Sequence, residues 1–169
     1  STPLVCITGQ VPSQLLGTDA FQECDVIGIS MPVTKWNYQI TNSKEIPEII
    51  AKAFYIARSG RPGPVLIDIT KDAQFSDTNF KYKKCLKIRS YHPYPIIDKD
   101  KVSKAAELIN QSKKPMILVG QGVLLSNAEK ELVEFSEKSG IPIASTLLGL
   151  GAVSCNHKNY VGYLGMHCN

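Results

Sequence analysis

Gly60-Arg61-Pro62-Gly63-Pro64-Val65-Leu66-Ile67-Asp68-Ile69 is the stretch that decides the fold class of this chain. A loop of glycine and proline feeds directly into an unbroken apolar run over residues 64–69, the mark of a parallel strand covered on both faces. Just upstream, Ile46, Ile49, Ile50, Ala53, Phe54 and Ala57 recur at spacings of three and four, so they share one face of a helix. Ser43, Glu45 and Pro47 suit the first turn of that helix, and Gly60 suits its stop. Further upstream, residues 3–8 read as a buried strand ended by Gly9. Residues 26–30, Val-Ile-Gly-Ile-Ser, read as a second strand stopped by Pro32.

Both periodicities vanish over residues 74–98. That segment holds the lysine cluster Lys81, Lys83, Lys84 and Lys87, read as a solvated linker, and the run Tyr91-His92-Pro93-Tyr94-Pro95. A structureless connection of this length is unusual inside a compact domain. The domain boundary is therefore expected here, between residues 1–73 and 99–169. Beyond it, Val102, Ala105, Ala106, Leu108 and Ile109 form a helix face and residues 116–119 a buried strand. Gly120-Gln121-Gly122 is then a turn, residues 128–138 a helix closed by Gly140, and residues 141–144 a strand. Strand, helix and glycine turn in alternation predict an α/β fold of two partial doubly wound parallel-sheet units.

Composition excludes more than it assigns. The 169 residues are 43% hydrophobic and 20% charged, as in packed soluble proteins, and a formal charge of +4 is too mild and dispersed for nucleic acid. No apolar run reaches the roughly 18 residues of a membrane span, and the first residues lack the basic and cleavage regions of a signal peptide. Cys6, Cys24, Cys85, Cys155 and Cys168 show no paired spacing, and with His92, His157 and His167 they complete no zinc pattern. Reduced thiols in a cytoplasmic protein are the expectation, with no metal ligand assigned.

Chemical variety is concentrated in Gly17-Thr18-Asp19-Ala20-Phe21-Gln22-Glu23. A turn-former, a hydroxyl, carboxylates, an aromatic ring and a carboxamide fall within seven positions. Gln22 can both donate and accept without titrating, which suits orientation of a carbonyl oxygen, and Phe21 can wall a small pocket. Gly120-Gln121-Gly122 after a strand would let backbone approach a phosphate at the start of a helix. Taken alone it is a plain tight turn, since Leu125 stands where a dinucleotide fingerprint needs its third glycine and no ribose-binding acid follows. Ser145-Thr146-Leu147-Leu148-Gly149-Leu150-Gly151 lies past the next strand, at the edge where open α/β sheets bind ligands. Arg61 is a solvated loop residue on spacing alone, with a planar cation that also suits a phosphate or ring oxygen.

The heptapeptide, Gly60-Arg61-Pro62-Gly63-Pro64, Thr70-Lys71-Asp72 and Leu164-Gly165-Met166-His167 together resemble the large catalytic subunit of the acetohydroxyacid synthase (acetolactate synthase) family. The resemblance runs along essentially the whole chain. It implies a thiamine-diphosphate enzyme that also carries FAD and Mg2+, and that joins pyruvate, after decarboxylation, to a second 2-ketoacid in branched-chain amino acid biosynthesis. It implies that residues 1–73 are the end of the pyrimidine-binding domain and residues 99–169 the start of the central FAD-binding domain.

Carried over position by position, it places Gln22 at thiamine diphosphate and Phe21 beside the substrate. Arg61, Gly120, Gln121, Gly122, Thr146, Leu147, Leu164, Gly165, Met166 and His167 become FAD contacts. Pro12, Ala20, Lys35 and Lys71 line the substrate and inhibitor channel. Gln121 stands where the family often has glycine, and Thr70 where it has proline. The activating glutamate of the first domain and the Gly-Asp-Gly motif that holds Mg2+ and diphosphate do not occur here, so the chain is expected to be an internal fragment, inactive by itself. A homodimer or tetramer, with or without a regulatory subunit, is the implied assembly. The alternatives are a sister thiamine enzyme, of glyoxylate carboligase or pyruvate oxidase type, and a non-catalytic nucleotide-binding module.

Overall fold

The computed structural model describes residues 1–166 and divides the chain into two compact units, Ser1–Ile96 and Ile97–Asn169. Each is an α/β unit around a three-stranded parallel sheet.

In the first unit β1 (Leu4–Gln10), β2 (Trp36–Ile40) and β3 (Pro64–Thr70) lie in the order β1-β3-β2. The apolar run forms the central strand, which pairs in parallel from Leu4 opposite Pro64 to Gln10 opposite Thr70, and with β2 on its other side. Val65 and Ile67 are fully buried there with Ile40 from β2. Helix α2 (Ile46–Arg58) closes this core with Ile49, Ala53, Ile56 and Ala57, four of whose positions follow the helical spacing of three and four. Ser59 caps its end, followed by Gly60 at φ +57°, a conformation open to glycine at little cost. Phe54 sits on the opposite side and is exposed, as are Leu4 and Ile7 on the edge strand β1.

Residues 26–30 correct the sequence expectation. They form a short helix, α1 (Val26–Ser30), because the Asp25 carboxylate accepts from the Gly28 N–H and fixes the first turn. The second strand is β2 instead, where Trp36, Tyr38 and Ile40 alternate and the two aromatic rings stack at 5.7 Å. Asn37 ties α1 to it, donating through Nδ2 to the Ile27 carbonyl and to Ser30 Oγ. A one-turn helix, α3 (Lys71–Phe75), follows β3.

The second unit opens with α4 (Lys99–Gln111), capped by Asp98, whose carboxylate accepts from the N–H groups of Asp100 and Lys101. Its predicted apolar face is helical but not buried within this chain: Val102 and Leu108 are exposed. Strands β4 (Ile117–Val119), β5 (Ile143–Ser145) and β6 (Tyr160–Tyr163) pair in the order β4-β5-β6, all parallel. Only one face of β4 is covered, since Met116 and Leu118 are exposed while Val119 is buried. Between β4 and β5 run α5 (Gln121–Ser126), ended by Asn127 at φ +52°, and α6 (Glu129–Ser139), ended by Gly140 at φ +69°. The core gathers Val119, Ile143, Ala152 and Val153 with Leu132 and Val133 of α6. No described helix is long and apolar enough to cross a membrane.

Candidate functional site

Parallel strands end together, so each unit has one edge where several loops leave the sheet at their carboxyl ends. In the first unit that edge is organised by carboxylates. Asp68 is fully buried near the end of the central strand and accepts from Thr8 Oγ1 at 2.7 Å, Gln39 Nε2 at 2.9 Å and Gln10 Nε2 at 3.2 Å. One carboxylate thereby ties all three strands, and its three donors offset the desolvation of a buried charge. Gln10 continues the chain outward: its Nε2 also donates to the Cys24 carbonyl at 2.7 Å, fixing the base of the loop over residues 17–23. Asp72, at the start of α3, accepts from the N–H and Oγ of Ser13 at 2.9 and 2.6 Å. Those hydrogen bonds hold its carboxyl well below the usual carboxylate range.

Glu23 folds the heptapeptide around itself. Its carboxylate accepts the backbone N–H groups of Gly17, Thr18 and Ala20, and these bonds, that from Gly17 foremost, lower its pKa. The tight loop leaves Asp19 at φ +55° and Gln22 at φ +67°, left-handed conformations that non-glycine residues adopt at a cost. Strain of this kind persists only where neighbours hold it, and here Glu23 and Gln10 do so. The result is display: Phe21 is 90% exposed, and the Gln22 side chain is exposed with no partner among the described residues.

Within this unit the structure gathers part of the predicted channel. Pro12 follows β1 and Lys71 follows β3, adjacent strands whose ends pair as Gln10 opposite Thr70, and Ala20 sits in the loop held beside them. Lys35 lies apart. It precedes β2 at the amino ends of the strands, where its N–H donates to the Pro64 carbonyl. Its Nζ donates to the carbonyls of Ile56 at 2.5 Å and Ser59 at 2.8 Å, and stands over the Tyr91 ring. That is a cation at the C-terminus of α2, favoured by the helix dipole. Arg61 is also at the amino edge and donates through Nε to Ser1 Oγ at 3.0 Å.

The second unit's edge is made of backbone. The Thr146 N–H donates to the Val119 carbonyl at 2.9 Å, and the Leu164 N–H to the Ser145 carbonyl at 2.7 Å. These bonds bring Gly120-Gln121-Gly122, Thr146-Leu147 and Leu164-Gly165-Met166 to the same ends of β4, β5 and β6. Gly149 is required by packing: a Cβ there would stand 2.3 Å from the Val119 carbonyl oxygen. A Cβ on Gly122 would meet nothing, and one on Gly120 only Thr146 Oγ1 at 3.8 Å, so the glycine backbone faces open space. Leu147, Leu164 and Met166 are exposed around it. His167 lies outside the described residues.

Comparison with known proteins shows what the chain is similar to. The profile of the thiamine pyrophosphate enzyme central domain matches residues 102–169. The acetolactate synthase large subunit of Corynebacterium glutamicum is 46% identical over 99% of this chain, and that of Haemophilus influenzae is 43% identical over 99%. The chain is homologous to acetolactate synthase large subunits. It spans 27% and 30% of the length of these two relatives. A crystal structure from Mycobacterium smegmatis, described as a thiamin diphosphate-dependent enzyme, superimposes with a TM-score of 0.76 at 26% identity, over 97% of this chain and 31% of the other. Gly120–Gly122 and the blocks at Thr146 and Leu164 fall inside the central-domain match, whereas Gln22, Phe21, Arg61 and Lys71 fall outside it, within the nearly full-length similarity to the acetolactate synthase subunits.

Sequence reasoning did not single out Gln10, Ser13, Asp68 or the caging role of Glu23. The available signal was Asp68 itself, a carboxylate inside an otherwise apolar strand, which must find donors when buried.

Proposed function

We propose that this chain contributes the substrate-facing loop and the flavin-supporting edge of an acetolactate synthase, which decarboxylates pyruvate and joins the remaining two-carbon unit to a second 2-ketoacid, pyruvate or 2-ketobutyrate. The observation that supports it most is the strained, carboxylate-caged heptapeptide presenting Gln22 and Phe21 at a sheet's carboxyl edge, in a chain 46% identical to such a subunit. Thiamine diphosphate supplies, when bound, a stabilised carbanion, a chemistry no side chain provides.

The free carboxamide of Gln22 orients the ketoacid oxygen or the thiamine adduct without changing charge at any working pH. Phe21 forms an apolar wall against the acyl group, and Pro12, Ala20 and Lys71 line the approach, with Lys71 attracting the ketoacid carboxylate. Lys35 is proposed as a helix-capping residue rather than a channel residue, because both carbonyls it serves belong to the end of α2.

FAD fits the second edge on its own terms. The open glycine backbone at Gly120 and Gly122 admits close approach of a phosphate, and exposed Leu147, Leu164 and Met166 offer apolar cover to a ring. Gln121, Thr146, Gly165 and His167 complete the proposed contacts. The flavin's role is structural rather than redox, since the carboligation moves no net electrons to it. Mg2+ and the diphosphate are proposed to be held by residues other than these. Residues 1–73 are assigned to the pyrimidine-binding domain, 74–98 to the linker and 99–169 to the central domain, in a cytoplasmic homo-oligomer that also admits a regulatory subunit.

The test is a chimera in which this chain replaces the homologous segment of the Corynebacterium glutamicum large subunit. The proposal expects acetolactate formation from pyruvate. A chimera that folds and binds thiamine diphosphate and FAD yet forms no acetolactate contradicts it.

A further inference from the structure

The linker's lysines do not simply extend into solvent. Lys81, Lys83, Lys84 and Lys87 lie beside the start of α2 and, with Lys44 and Lys52, line an open groove of about 650 Å³. Glu48 is the only carboxylate in its lining, paired with Lys52 at 2.5 Å and held acidic by that lysine first and by Lys83 as well. Among the described residues, the other five lysines form no ion pair. The segment carrying them is pinned on both sides. Buried Ser43 donates through Oγ to the Asp77 carbonyl at 3.4 Å, and Ile88 bridges Tyr91, both of which pack against the first unit's core. Tyr91 in turn donates to the Ser59 carbonyl at 3.2 Å. The lysines are therefore held around a shared volume, and their mutual repulsion disfavours the bare groove.

We propose that this groove binds a small polyphosphate anion. Lysine ammonium groups act as point charges toward phosphate oxygens, and a chain of linked phosphates distributes its charge over a length that several of them can reach together. The volume lies in the range of small-ligand sites, and Pro47 and Leu86 add apolar lining where an attached ring can rest. None of the residues lining the groove is among those assigned to the carboligase site, so the inference does not depend on the carboligase reading.

Isothermal titration of this chain with inorganic tripolyphosphate, and separately with adenosine triphosphate without metal, tests it. Saturable one-to-one binding is expected, weakening as salt rises because the charges are exposed. The double variant Lys83→Gln/Lys84→Gln should weaken it by roughly tenfold, one decade of affinity. Lys104→Gln/Lys130→Gln, which removes two exposed lysines of the second unit, should leave it unchanged. These lysines are exposed, so folding is preserved and circular dichroism verifies it. Equal affinity for both anions supports a site for free polyphosphate, and tighter binding of the nucleotide supports a nucleotide site. Absence of saturable binding, or equal weakening in both double variants, overturns the proposal.

Discussion

The two sheet edges solve the same problem with different materials. In the first unit, Asp68, Asp72 and Glu23 hold loops through side-chain acceptors, and the held loop presents a polar and an aromatic side chain in strained backbone. In the second, backbone bonds from Thr146 and Leu164 and a tightly packed Gly149 bring three segments together, and what they present is bare glycine backbone with apolar side chains. An edge that must aim a functional group needs rigid, directional support. An edge that supports a large cofactor needs space and surface. The contrast predicts that the first edge fails through its carboxylates and the second through its glycines.

The largest expected effect is Asp68→Ala. It leaves Thr8 Oγ1 and Gln39 Nε2 without their acceptor, removes one of the two acceptors of Gln10 Nε2, and should destabilise the first unit by roughly 4 kcal/mol. Hydrogen exchange should show lost protection in β1 to β3 with the second unit unaffected. Equal loss in both units would break the comparison. Gly149→Ala is the mirror experiment. Its Cβ cannot coexist with the Val119 carbonyl, so the β4–β5 edge must shift, costing about 2 kcal/mol by the usual scale of overpacking. Denaturation followed by exchange at β4 and β5 reads it, and an unperturbed edge would contradict it.

Phe21→Ala should leave stability nearly unchanged, because the ring is exposed, and should change the preference between pyruvate and 2-ketobutyrate in the chimera by about tenfold, within the range an apolar wall commands. Competition assays measure the ratio. The smallest effect concerns acid. A carboxyl whose pKa is depressed by folding contributes stability above its unfolded value near 4, and that contribution is lost as pH falls toward the folded value. Asp72→Asn should therefore flatten the decline of stability below about pH 4 while changing little at pH 7 beyond the altered Ser13 contacts. An identical acid limb in the variant would show that the Ser13 bonds are too weakly coupled to folding to matter.

The parts of the fold that were legible are those where one physical demand dominates. The run at residues 64–69 had to be a buried central strand, the period of Ile46–Arg58 had to face a core, and Gly140 had to end a helix. Residues 26–30 were misread because five apolar or small residues satisfy a strand or a helix equally, and the deciding feature is one carboxylate, Asp25, reaching a backbone N–H. β2 is missing from the sequence reading although Trp36, Tyr38 and Ile40 alternate, because Asn37 and Gln39 break up the apolar run. α5 and β6, of six and four residues, are too short for any period to emerge. At the candidate site, Gln22 and Phe21 were legible as candidates from chemistry and resemblance. Their support was not, because Gln10, Asp68 and Ser13 meet only after strands distant in sequence pair. Lys35 shows the converse: the resemblance implies a channel residue, while in the fold its Nζ donates to the carbonyls of Ile56 and Ser59 at the end of α2.

The central claim, that the caged loop exists to aim Gln22, is tested most directly by kcat for acetolactate formation in the chimera carrying Gln22→Ala. An oriented hydrogen bond at a reacting centre is worth roughly 3 kcal/mol, so turnover should fall by about a hundredfold. The unfolding midpoint should stay where it was, because the side chain has no partner to lose. Unchanged turnover would contradict the account, and the heptapeptide would then be a structural loop whose strain serves packing alone.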